Sequence, residues 1–131
     1  MHNSDNLNSA GRLAETLGDW QRALNSYEAA LRIQPHNVDA LTQTANILRQ
    51  QERFLEAAEY FTRVVALREE AGEVWGALGH CYLMIDDLPK AYACYQQAIM
   101  HIPDAKVRSK FVAILSCSEP AVRMNPNYGT A

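Results

Sequence analysis

The sequence is short of most features that point to chemistry. It has no basic excess: 12 Lys and Arg stand against 15 Asp and Glu, a formal net charge of −3, so there is no electrostatic footprint for a nucleic-acid backbone. No apolar run approaches the roughly 18 residues needed to span a bilayer, and the opening Met1-His-Asn-Ser-Asp5 lacks the basic and apolar regions of a secretion signal. Three cysteines, an odd number without paired spacing, argue against a disulfide framework and suit a reducing compartment. There is no Gly-x-Ser-x-Gly, no phosphate-cradling glycine-rich loop and no His-Glu-x-x-His. These absences predict a soluble, intracellular, non-catalytic chain with no metal, cofactor, small-molecule substrate or membrane to hold.

What the 131 residues do contain is periodicity, in a chain whose 48% apolar content suffices for one core. Between Gly72 and Pro103, Trp75, Leu78, Gly79 and Tyr82 fall on one helical face, and after the turn at Asp86-Asp87, Ala91, Tyr95 and Ala98 fall on another. Large residues alternating with Gly or Ala let two helices interlock, because the small side chain receives the partner's knob. Stepping back 34 residues gives Leu41, Ala45, Leu48, Ala57, Phe61 and Val64; a further 34 gives Leu7, Gly11, Ala14, Ala23, Tyr27 and Ala30. That period and the pattern Trp75…Leu78-Gly79…Tyr82…Ala91…Tyr95…Ala98…Pro103 resemble the tetratricopeptide repeat. The resemblance implies an all-α fold: a right-handed superhelical solenoid of three helix–turn–helix repeats, with its first helices lining a concave groove.

Local signals set the expected boundaries. Residues 1–5 are polar and expected to fray, with Ser4 or Asp5 available as an N-cap; residues 6–103 hold three repeats, about 4–37, 38–71 and 72–105. The predicted helices cover about 6–17, 20–33, 38–50, 54–68, 72–84 and a segment starting after Asp87, with Asp19, Asn37 and Asp87 as caps and Pro89 harmless in a first turn. Trp20, Phe54 and Leu88, one period apart, are expected to plug equivalent gaps, and Trp20 and Trp75 are assigned to the core by phase. The fourth period fails. It leaves an amphipathic helix over about 105–117, with Val107, Phe111, Ile114 and Leu115 on one side, which reads as a capping helix. Residues 118–131, with turn formers and no period, are expected to be disordered.

Residues that suggest catalysis have plainer readings. His80 and Cys81 are neighbours on a helix and point about 100° apart, a poor base–nucleophile pair. Cys81 and Cys94 lie on facing helices without the further ligands a metal requires, and Asp86-Asp87 occupy a turn where carboxylates cap helices. The useful surface is instead the groove face of the first helices. It carries Asp5, Asn8, Arg12 and Thr16; then Asp39, Thr42, Asn46, Arg49 and Gln50; then Glu73, Gly76, His80, Leu83 and Met84. Arg12, Asn46 and His80 share one repeat position, a polar row suited to a docked helix, and Leu83-Met84 give it an apolar end.

Two stretches go beyond the generic repeat: Leu13-Ala-Glu-Thr-Leu-Gly-Asp19, and Val74 through Asp87 with its Gly79-His-Cys-Tyr-Leu-Met-x-Asp-Asp string, continuing from Lys90 to Ala98. Residues 7–101 resemble the first three repeats of the fungal Cyc/Ssn-family subunit of the general transcriptional co-repressor. The resemblance implies a nuclear adaptor whose early repeats hold an N-terminal helical segment of a Tup-type WD-repeat partner, with DNA-bound repressors reached through the complex. That family has about ten repeats and Gln-rich regions, whereas this chain has three repeats and an unrelated tail. The alternatives are the docking region of a larger enzyme such as a histone demethylase, whose catalytic domain is absent here, or a chaperone-type adaptor. Adaptors that clamp chaperone carboxylates present Lys, Asn and Arg where this chain has Asn8, Arg12, Gln43, Glu73 and Ala77, and Glu73 would repel a carboxylate.

Overall fold

The protein is described here by a computed structural model covering residues 3–124, with side chains for 4–116. It divides into two compact units, Met1–Leu67 and Arg68–Ala131. The first holds α1 (Asn3–Thr16), α2 (Trp20–Ile33), α3 (Val38–Gln50) and α4 (Phe54–Leu67); the second holds α5 (Gly72–Met84), α6 (Leu88–His101) and α7 (Ala105–Met124). Within the first unit α1 packs on α2, α2 on α3 and α3 on α4; within the second, α5 packs on α6 and α6 on α7.

One turn is built three times. Residues 17–19, 51–53 and 85–87 each join two helices, and the middle residue is left-handed every time: Gly18 at φ 77°, Glu52 at 61°, Asp86 at 66°. The next N–H then donates back to the last helical turn, Asp19 to Ala14, Arg53 to Leu48 and Asp87 to Tyr82, each at 2.9 Å. Six-to-one bonds of this kind end a helix by satisfying a carbonyl that would otherwise be orphaned. Gly18 adopts the conformation freely, whereas Glu52 and Asp86 hold it at a cost of about 1 kcal/mol each. The following helix starts on the same residues, since the Asp19 carboxylate accepts from the Arg22 N–H and that of Asp87 from the Lys90 N–H. Asn37 does the same for α3 through the Ala40 N–H. Of the capping residues read from sequence, Asp19, Asn37 and Asp87 are observed as caps.

In the first unit Ala14, Ala23, Tyr27, Ala30, Ala40 and Ile47 form one buried cluster joining α1, α2 and α3. A Cβ on Gly11 would lie 2.6 Å from the Tyr27 ring, so the absence of a side chain there is what lets α1 and α2 close up. The Tyr27 hydroxyl, at the end of a fully buried ring, donates to the Glu15 carboxylate. In the second unit Gly79 faces Tyr95 in the same register, and Gly76 lies beneath Phe111 of α7. The Phe111 ring is tilted against Tyr95 with centroids 5.6 Å apart, and Val107, Ile114 and Leu115 are half-buried beside it.

Several expectations need correction. The N-terminus is helical from Asn3, and Ser4 is buried rather than frayed or capping: its hydroxyl donates to the Ala30 carbonyl and accepts from the Asn37 side chain. Trp20 is 40% exposed, so its phase does not place it in the core. Trp75 is half-buried, its indole N–H held by the Glu69 carbonyl at 2.8 Å. The last helix runs to Met124, past the expected end at 117 and through Pro120. One proline removes one hydrogen bond, and its neighbours Glu119, Ala121 and Arg123 favour helix. Residues 125–131 of the expected tail lie outside the described residues.

Candidate functional site

On the first unit the polar residues of α1 and α3 come together. The Arg12 guanidinium meets the Asp39 carboxylate at 3.3 Å, bridging the two helices, with both side chains more than half exposed. Such a pair contributes little to stability and is easily traded for a partner's groups. Arg49 donates to the Asn46 side-chain oxygen at 3.3 Å, while its buried Nε has no hydrogen-bond partner among the described residues. Thr42, Asn46 and Arg49 are half-buried and Arg12, Thr16 and Gln50 exposed; the Thr16 hydroxyl is turned back onto the Arg12 carbonyl. Asn8 departs from its expected place on the groove surface. It is buried, and its NH2 donates to the Asn37 side-chain oxygen at 3.0 Å, so it belongs to the Ser4–Asn37 network that seats α3 on α1 and α2. Sequence spacing places a residue on a face but does not say what lies over it.

On the second unit Glu73 and Met84 are exposed, and His80 and Leu83 half-buried, all on α5. Met84, 52% exposed, adjoins the exposed Ile85, so the apolar end of the face extends one residue further than expected. Gly76 is not open to a ligand, because Phe111 covers it.

Among the described residues no cluster of His, Cys, Asp or Glu is fit to hold a metal ion, and no helix is long and apolar enough to cross a membrane. The perturbed groups belong to packing. Burial pushes the Cys94 thiol up to about 12 and the Tyr95 phenol up to about 12, and burial followed by the Glu15 hydrogen bond raises Tyr27 as well. The folded chain therefore binds these protons more tightly than the unfolded chain. Their contribution to stability is complete below the thiol's ordinary value of 9.0 and falls away as pH rises toward about 12. Urea denaturation should accordingly show a midpoint that declines steadily above about pH 9, and thiol reagents near neutral pH should spare Cys81 and Cys94 until the chain unfolds. Native-state labelling of either residue would show that α5 and α6 open readily.

Antiparallel helix pairs repeating every 34 residues, with a polar first-helix face, define the helical-repeat class. Tetratricopeptide-repeat models match residues 8–68 and 48–110, and the chain belongs to that family. Over 96 residues, 73% of this chain, it is 55% identical to the general transcriptional corepressor trfA of Dictyostelium discoideum and 49% identical to the general transcriptional corepressor ssn6 of Schizosaccharomyces pombe. Its repeats thus group with those of the corepressors that residues 7–101 resemble. The match spans only 7% and 9% of those relatives' lengths. Among solved structures, MamA superposes with a TM-score of 0.83 at 22% identity, covering 92% of this chain and 64% of MamA. The first repeat domain of Spaghetti (RPAP3), bound to an HSP90 peptide, superposes at 0.80 with 17% identity, covering 93% and 94%. At such identities the likeness is one of fold.

Proposed function

We propose that this chain is a non-catalytic adaptor segment of a nuclear transcriptional co-repressor, whose first-helix face holds a helical segment of a Tup-type WD-repeat partner. Through that complex it serves DNA-bound repressors. The observation that carries the reading is the identity of about half its residues, over 96 positions, with two general transcriptional corepressors. The α1–α3 face is in keeping with it, since it offers an exposed ion pair, half-buried amide and hydroxyl groups and the unpartnered Arg49 Nε. In this reading Arg12, Thr16, Thr42, Asn46, Arg49 and Gln50 supply polar contacts on the first unit; on the second, taken by itself, Glu73 and His80 supply polar contacts and Leu83 with Met84 an apolar anchor.

Calorimetric titration of a Tup-type N-terminal helical segment tests it. Arg12→Ala with Asn46→Ala should leave the melting curve within roughly 0.5–1 kcal/mol of the parent, because the Arg12–Asp39 pair is exposed. Binding should weaken by about 1–3 kcal/mol, through loss of hydrogen bonds buried in the complex. Met84→Asp should weaken it further by setting a charge against an apolar partner face. Folded variants that bind as tightly as the parent would move the site off this face.

A further inference from the structure

A second surface lies on the first unit, in the cleft where α2 and α4 flank α3. Its volume is about 240 Å³, and Leu24 and Leu31 of α2 with Leu48 of α3 supply its apolar lining. Thr44 of α3 also lines it, 6% exposed, and its hydroxyl has no hydrogen-bond partner among the described residues. Three helical hydroxyls are satisfied one turn back: Thr16 on the Arg12 carbonyl, Thr62 on Ala58 and Ser109 on Ala105. Thr44 makes no such bond. It also stands one repeat before Leu78, which is 2% exposed, so a hydroxyl occupies a position where the pattern calls for a leucine. A buried polar group without a partner is costly, and sites that carry one are commonly completed by something that binds.

The lining limits what that is. Pockets for whole small molecules run to about 300–1,000 Å³, so this cleft suits one large side chain of a polypeptide. Three leucines beside a buried hydroxyl, in a lining that is otherwise polar, suit an aromatic ring with a polar tip, an indole N–H or a phenol O–H, that reaches Thr44 Oγ1. The rim adds a charge preference. Glu28 and Glu56 lie on opposite walls, each in an exposed pair, Glu28 with Arg32 at 2.8 Å and Glu56 with Arg53 at 2.7 and 3.0 Å. Arg53 is the one cation among the lining residues. We propose that this cleft is a peptide-docking site that takes an aromatic side chain with a hydrogen-bonding tip, flanked by basic residues that meet Glu28 and Glu56. It is separate from the α1–α3 face and does not depend on what that face binds.

The probes are acetyl-Lys-Trp-Lys-amide, its Glu-Trp-Glu and Lys-Ala-Lys counterparts, and methyl-detected NMR of the full chain. The Lys-Trp-Lys peptide should bind with a millimolar Kd and shift the methyls of Leu24, Leu31, Thr44 and Leu48. Either counterpart should bind at least about fivefold more weakly. Thr44→Val removes the hydroxyl at nearly constant shape, so it should melt at or above the parent's temperature while raising the Kd about fivefold or more. Thr44→Ser, which keeps the hydroxyl, should retain most of the affinity. Shifts confined to other surfaces, equal affinity for the Glu-Trp-Glu peptide, or unchanged binding in a folded Thr44→Val variant would each overturn the assignment.

Discussion

Phe111→Asp is expected to lower the melting temperature by about 10 °C or more and to make the chain self-associate. The ring fills the space above Gly76, where even a Cβ would come within 2.5 Å of it, and it lies tilted against Tyr95. Removing it forfeits an aromatic pair of about 0.5–1.5 kcal/mol together with the apolar area it covers. The new carboxylate then stands against the buried Tyr95, which favours detachment of α7 from α6. A total near 3 kcal/mol, in a unit of this size, corresponds to the stated shift. Once α7 has left, the apolar surface it covered is open to other molecules, and light scattering should register their association. Phe111→Leu keeps an apolar filler and should lose less than half as much. An unchanged melt with a monodisperse Phe111→Asp monomer would mean that α7 adds nothing to the unit.

Gly79→Leu should destabilise by about 2 kcal/mol, whereas Gly79→Ala should be nearly neutral. At this position a Cβ would sit 2.9 Å from Tyr95 Cε1, and Tyr95 is itself 1% exposed and backed by Phe111, so it has little room to retreat. Alanine adds one atom that a slight ring shift accommodates, and it recovers roughly 1 kcal/mol of helix propensity. Leucine adds three further carbons, and overpacking of that order costs about 1–3 kcal/mol. One period earlier Ala45 occupies the same position with Phe61 sixteen residues on, both buried, so the fold tolerates a methyl group at this register. Thermal denaturation of both variants decides the matter. A Gly79→Leu protein as stable as the parent would show that α5 and α6 separate at little cost.

These two sites were legible in the sequence because interlocking between paired helices is local. Gly79 and Tyr95 are sixteen residues apart, and the period alone sets them against each other, as it does Gly11 and Tyr27. The turns at 17–19 and 85–87 were legible for the same reason, set within a few residues by Asp19 and Asp87, as was the start of α3 at Asn37. What the sequence left open depends on a neighbouring element. Leu13 and Ile47 share a repeat position, yet Ile47 is fully buried in the cluster formed with α2 and Leu13 is 61% exposed. Trp20 was misplaced on the same ground. Asn8 reads as groove surface because it lies off the core motif, and it is buried where it donates to the Asn37 cap. Thr44 carried a signal in the sequence, a hydroxyl at a leucine position, but only the cleft beside it gives that signal a meaning.

The glycines of α5 bear on how the chain is made as well as on how it packs. Gly72, Gly76 and Gly79 stand within a helix of 13 residues, and each costs about 1 kcal/mol of helix propensity relative to alanine. A segment so short and so weakly helical does not hold its shape in isolation. It becomes a helix when Tyr95 and Phe111 lie over its bare stretches, and those residues lie well C-terminal to it. During synthesis α5 should therefore leave the ribosome unstructured and stay so until α7 has emerged, exposing Val74, Trp75 and Leu78 in the interval. A helix pair whose packing is completed by a later element stays open to chaperones until that element arrives, and truncation before Phe111 should leave it less stable.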